Sequence, residues 1–239
     1  MGIERERVEK RDEQGRRGIR SFVLRASRLN PYQKEALKIY RENYTIDFES
    51  DKVLDFKEVF GNDNPTILEI GFGSGESTER IANQMPFTNF LAIEVYLNGF
   101  SRLLSAVGRN SMSNLKLIRF DAVEVLSSMI ADNSLSGIHI FFPDPWPKKK
   151  HHKRRLIQKP FARLLEKKLK EGGYIYCVTD WQEYAYQMVD VFSRTDNLEN
   201  RHETFAPKRS WRPTTSYELK GLKKRHQIYE IWVEKSRDF

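Results

Sequence analysis

The stretch Leu68-Glu69-Ile70-Gly71-Phe72-Gly73-Ser74-Gly75 restricts this chain more than any other. A short apolar run, Thr66–Ile70, ends in three glycines spaced G-x-G-x-G, and a helical pattern opens directly after them. Glycine at a strand-to-helix turn allows backbone angles that other residues avoid, and it lets a ligand approach the main chain. The same alternation continues downstream. Further strands are expected at Asn89–Val95, Leu115–Phe120, Gly137–Phe142 and Tyr174–Thr179, with helices over 75–85, about 98–107 and 122–130 between them. Phe161, Leu164, Leu165 and Leu169 recur at helical spacing, as do Trp181, Tyr184, Met188 and Val191. His226–Glu234 reads as a last strand. This pattern implies an α/β fold of Rossmann-like type, with a mostly parallel sheet covered by helices on both faces and ligands beyond the carboxyl ends of the strands.

The acids around the turn discriminate between cofactors. A dinucleotide places its pyrophosphate at the helix N-terminus. Here Glu69 precedes the loop and Glu76 follows it, and carboxylates repel phosphates. A cation without phosphates fits better, and S-adenosylmethionine carries a sulfonium, an ammonium and ribose hydroxyls. Glu94 closes the second strand, where an acid can accept from ribose hydroxyls. Asp121 closes the third and opens the capping box Asp121-x-x-Glu124, so it reads equally as an N-cap. Asp144 lies just past the fourth.

The run Phe141-Phe142-Pro143-Asp144-Pro145-Trp146-Pro147 stops any helix and stiffens the backbone around Asp144. Lys148-Lys149-Lys150-His151-His152-Lys153-Arg154-Arg155 follows, six fixed positive charges without an acid, beside the expected site. Such a run suits phosphate contacts. Lys208, Arg209, Arg212, Lys220, Lys223, Lys224 and Arg225 repeat the theme near the end of the chain, with Trp211 and Tyr217 interleaved. Aromatics among basic residues suit stacking on unpaired bases, and they serve equally as core. The formal net charge of +8 agrees with a polyanionic partner.

The 239 residues suit one such domain, expected over 31–239. Ahead of it, residues 1–30 hold nine Lys/Arg without apolar periodicity and are expected to form a flexible basic arm. Asn30-Pro31 then reads as an N-cap and first helical residue, opening a helix to about Glu42. Cys177 is the only cysteine, and no Cys/His cluster has zinc-ligand spacing, so neither a disulfide nor a metal is expected. No signal peptide and no membrane-length apolar run is visible, which makes the cytoplasm the simplest home.

Taken together, these motifs resemble the bacterial tRNA (guanine-N7)-methyltransferases, of the S-adenosylmethionine-dependent class I fold. The resemblance runs from Arg20-Ser21-Phe22 to the last strand. It is carried by 68–73, Phe90-Leu91-Ala92-Ile93-Glu94-Val95, Asp121-Ala122-Val123-Glu124-Val125-Leu126, Phe141–Trp146, Lys153-Arg154-Arg155, Thr179-Asp180-Trp181 and Thr215-Ser216-Tyr217-Glu218. The proline-bracketed Asp144 with its basic cluster is the specific part. The resemblance implies a seven-stranded sheet and methyl transfer to N7 of a guanosine at position 46, in the tRNA variable loop. It implies cofactor contacts at Glu69, Glu94, Asp121 and Asp144, beside the loop glycines Gly71 and Gly73, and a catalytic role for Asp144. It places substrate contacts at Lys148, Asp180, Thr215, Ser216, Tyr217 and Glu218, and RNA contacts at Lys150, His151, His152, Lys153, Arg154 and Arg155. Asp180-x-x-Glu183 is also a capping box, so a structural role for Asp180 stays open. The chain departs from relatives at Gly73-Ser74-Gly75 and at Pro147. A monomer is expected.

Three rivals remain at this level. A methyltransferase for an adenine amino group is suggested by the proline-bracketed acid, although Trp146 stands where such loops carry a second proline. An NAD-dependent oxidoreductase conflicts with the flanking acids. A non-catalytic RNA-binding module leaves the set Glu69, Glu94, Asp121 and Asp144 without a purpose.

Overall fold

The computed structural model describes Phe22 and residues 28–237. The expected arm lies outside the described residues, apart from Phe22 and residues 28–30. Helices α1 (Pro31–Ile39), α2 (Arg41–Tyr44) and α3 (Phe56–Phe60) precede the first strand. The alternation then runs β1 (Thr66–Ile70), α4 (Glu76–Gln84), β2 (Asn89–Ile93), α5 (Leu97–Arg109), β3 (Leu115–Ile118), α6 (Ala122–Ser128) and β4 (Leu135–Phe141). A 3₁₀ segment, Lys149–Arg154, leads to α7 (Lys159–Lys168), β5 (Leu169–Thr179) and α8 (Gln182–Ser193). β6 (Leu198–Glu199), α9 (Ser216–Lys223) and β7 (Tyr229–Lys235) complete the order.

The seven strands form one sheet in the order β3-β2-β1-β4-β5-β7-β6. The first five are parallel and the pairs involving β7 are antiparallel. β1 is buried along its whole length because helices cover both faces. Leu68 and Ile70 face Val125, Phe161, Leu165 and Tyr184 of α6, α7 and α8. Ile67 faces Ile81, Leu103, Leu104 and Val107 of α4 and α5. Each such side chain, fully buried, contributes about 1.5–3 kcal/mol. The chain moves outward from β1 to β2 and β3, then returns to the other side of β1 with β4. Connections therefore diverge above the carboxyl ends of β1 and β4, which leaves a crevice there.

Several elements differ from the sequence expectation. Asn30 caps α1, accepting the Gln33 N–H at 2.9 Å while the Gln33 side chain accepts the Asn30 N–H at 3.0 Å. The helix breaks at Tyr40 and resumes as α2 through Glu42 to Tyr44, and the Tyr40 ring lies where any side chain on Gly108 of α5 would stand. The box Asp180-x-x-Glu183 does not form. α8 begins at Gln182 after Trp181, without a side-chain cap, because Asp180 turns to His226 and Glu183 to His152 and Arg155. The last strand begins at Tyr229, three residues later than expected. α3, the two-residue β6 and α9 were not anticipated.

Candidate active site

A cleft of about 200 Å³ opens above the carboxyl ends of β1, β2, β3 and β4. Gly71, Glu94, Asp121 and Asp144 all stand on its wall, together with Phe22, Phe120 and Phe142. Among the described residues its lining holds three carboxylates and no basic side chain. Gly71 and Gly73 have φ of 75° and 58°, and a Cβ on either would point into open space. That leaves main chain bare at the cleft, as the glycine pattern predicts.

The acids are held differently. Glu94 is buried, and its carboxylate accepts N–H bonds from Gly73 (2.8 Å), Val95 (2.7 Å) and Tyr96 (2.9 Å). Burial raises its pKa, the three amides oppose that shift, and the Asp144 charge adds to it. A carboxylate has about four acceptor positions, so capacity remains for a hydroxyl. Asp121 caps α6, with Oδ1 accepting from Val123 N–H at 2.8 Å and Glu124 N–H at 3.3 Å, so its capping role is real. Glu69 stands apart from the cleft wall. It is 2% exposed, and its Oε2 is buried with no well-formed hydrogen bond, the Thr78 hydroxyl on α4 being its polar neighbour. Burial pushes the Glu69 carboxyl up to about 7, against the pull of Thr78 and with a further push from Glu94. An under-satisfied buried carboxylate behind a bare glycine loop, with acids as the only charged side chains on the cleft wall, suits a cation bearing hydroxyl groups. S-adenosylmethionine fits that description, and a pyrophosphate does not.

Asp144 is exposed at the cleft mouth, between two aromatic residues in unusual conformations. Phe142 has φ of 52° and Trp146 of 45°. Left-handed backbone at a bulky residue costs about 1–3 kcal/mol, and such strain persists where the surroundings fix it. Here Phe142 N–H bonds to Val178 O at 2.7 Å, the Arg154 guanidinium lies 4.8 Å over the Trp146 ring, and Arg155 Nε donates to Pro145 O at 2.8 Å.

Arg155 therefore departs from the expected RNA-contact set. Its side chain is 1% exposed, packs over the Tyr184 ring, and donates to Gln187 at 2.5 Å. Buried there, it braces the Asp144 loop and is out of reach of a phosphate. Lys148, Lys150 and Lys153 are exposed, while His151, His152 and Arg154 are half-buried.

Across the mouth, Tyr217 comes within the field of two acids. Burial raises its pKa first, then the neighbouring Asp180 carboxylate, then Asp144. Its ring centroid is 5.0 Å from that of Phe142. Tyr217 thus joins Asp180 to the loop that carries Asp144, two residues after Phe142. Thr215 caps α9, accepting the Glu218 N–H at 3.1 Å, and Ser216 donates to Glu76 at 3.0 Å. Glu218 is the second correction. It is 3% exposed and fully engaged, with Arg212 at 2.7 and 3.0 Å and Lys208 at 3.2 Å, so it anchors the segment before α9 and is not open to a substrate. Arg212 also donates to Glu230 at 2.6 Å, and Tyr176 donates to the same carboxylate.

Sequence reasoning missed four of these residues. Phe22 was named only as the start of the family resemblance, within the basic arm. Phe142 and Arg212 were counted as strand and charge. His226, 3.1 Å from Asp180, was hidden behind Lys223, Lys224 and Arg225. Among the described residues there is no metal-binding cluster of His, Cys, Asp or Glu, and no helix is long and apolar enough to cross a membrane.

Comparison with known proteins adds an independent line. Residues 63–231 match the family described as "Putative methyltransferase". The chain is 47% identical over 221 residues to a tRNA (guanine-N(7)-)-methyltransferase of Neisseria meningitidis serogroup C (strain 053442), covering 92% of each chain. It is 43% identical over 225 residues to a protein of the same name from Bordetella pertussis (strain Tohama I), covering 94% of this chain and 88% of that one. Among solved structures, the 16S rRNA methyltransferase KamB superimposes with a TM-score of 0.57 at 11% identity, over 78% of this chain and 96% of that one. That last likeness concerns the fold alone.

Proposed function

The chain belongs to the tRNA (guanine-N7)-methyltransferase family, and from that premise we propose how its site works. The reaction moves a methyl group from S-adenosylmethionine to N7 of a guanosine in tRNA. Bound in the cleft, the cofactor supplies an electrophilic methyl group on a sulfonium. Guanine N7 has an in-plane lone pair and no proton, so no base is needed at that atom. The work of the protein is alignment and exclusion of water.

Each acid then has a task. Glu94 accepts from the ribose hydroxyls, Asp121 from the adenine amine, and Glu69 compensates positive charge behind the glycine loop. Asp180 accepts from the N1–H and N2–H edge of the guanine, with Tyr217 beside it. Asp144 orients the base and stabilises the positive charge that develops on it. Lys148, Lys150, Lys153 and Arg154, with His151 and His152, engage the RNA backbone. The guanosine is the one in the variable loop. The site needs no residue from a second copy, so we read the protein as acting as a monomer, and tRNA as a substrate fits action in the cytoplasm.

The observation that carries this reading is the position of Asp144, on the cofactor cleft wall and two residues from Phe142, whose ring lies 5.0 Å from that of Tyr217. Asp144→Asn should lower kcat by roughly 10²-fold with both substrates saturating. Nucleoside mass spectrometry of the product tRNA should find 7-methylguanosine with the native protein. Wild-type turnover in the variant removes the role of Asp144, and a methylated adenine would replace the reaction altogether.

A further inference from the structure

Both ends of α9 converge on one side chain. At its start, Tyr217 lies beside the Asp180 carboxylate. At its end, the chain reverses through Arg225, which has φ of 60°. Arg225 N–H donates to Leu222 O at 2.9 Å and His226 N–H to Gly221 O at 3.0 Å, the paired bonds of a left-handed helix terminus. That reversal folds His226 back over Gly221, and its Nδ1 comes to rest 3.1 Å from Asp180 Oδ2. The Asp180 side chain is 14% exposed and His226 is 45% exposed. The ring is therefore not part of a core, and an exposed pair of this kind adds little to stability.

We propose that His226 is a positioning residue for methyl transfer, donating Nδ1–H to Oδ2 of Asp180 and so presenting the other carboxylate oxygen to the guanine edge. This rests on the reading of Asp180 as the guanine contact. A carboxylate at the end of a strand can rotate about its own bond, and a base held loosely by it loses alignment with the methyl group. Misplacement on the order of 1 Å costs about 10²-fold in rate. A donor fixed by the helix terminus removes that freedom without touching the substrate.

The test compares kcat and both KM values in H226A, H226N, D180N and the double variant D180N/H226A, with thermal midpoints recorded for each. H226A should lower kcat roughly tenfold or more, with the KM for S-adenosylmethionine and the midpoint unchanged. H226N, which retains an N–H donor, should recover most of the loss. The double variant should be no slower than D180N, because both changes remove one interaction. Wild-type turnover in H226A, no recovery in H226N, or losses that multiply in the double variant would each overturn the role of His226 alone. Wild-type turnover in D180N would overturn the guanine contact, and the role of His226 with it.

Discussion

Glu69 makes the cofactor site answer to protons. Burial holds its carboxyl at about 7 rather than 4.5, which disfavours the charged form by about 3 kcal/mol. The folded pKa lies above the unfolded one, so between those values the folded protein binds the extra proton. Stability from this group is therefore full below about pH 4.5, declines as pH rises to about 7, and is level beyond. A cation bound behind the loop reverses the preference and favours the carboxylate. Cofactor binding at pH 6.5 should then release a proton, seen as binding heats that differ between buffers of different ionisation enthalpy. Equal heats would falsify the link. Residue type alone did not separate such roles. Lys153 and Arg155 read alike in sequence, yet one is exposed and the other is spent on Pro145, Gln187 and the Tyr184 ring.

The segment leading into α9 depends on a buried ionic fork. Arg212, 1% exposed on its side chain, joins Glu218 of α9 to Glu230 of β7. Removing one partner of such a cluster leaves charge buried without compensation, at a cost of about 3–5 kcal/mol. Arg212→Met should lower stability by that amount in denaturant titration and raise amide exchange over 208–223; an unchanged midpoint would mean that the fork adds nothing. Elements of this kind explain what was legible beforehand. The parallel strands were readable because helices on both faces force nearly continuous apolar runs, as at Phe90–Ile93 and, broken only by Glu69, at Ile67–Ile70. The acids at the strand ends were readable for the same reason, since the end of each strand was. α9 was not, because Lys220 and Lys223 mask its pattern and its buried members, Glu218 and Gly221, are a charge and a glycine. β6 spans only two residues and leaves no period. The box at Asp180 failed because tertiary partners outbid local geometry, and nothing in the sequence ranks the two.

The whole surface is biased toward one kind of partner. Exposed basic side chains come in two groups, Lys148, Lys149, Lys150 and Lys153 just after the Asp144 loop, and Lys220, Lys223, Lys224 and Arg225 at the end of α9. Neutralising Lys150, Lys153 and Arg154 together should weaken tRNA binding and flatten the dependence of log K on log salt by roughly two to three, leaving cofactor affinity unchanged. Arg155→Ala should instead cost stability, and a flattened slope from that change alone would contradict its burial. α9 itself is tied at Ser216 to Glu76, at the start of the helix that follows the glycine loop, and near Tyr217 and His226 to Asp180. One short helix thus touches the supports of both ligands. Reciprocity follows from that: whatever factor a bound methyl donor lends to RNA affinity through α9, bound RNA must return to the donor, and the order of their arrival cannot alter the sum.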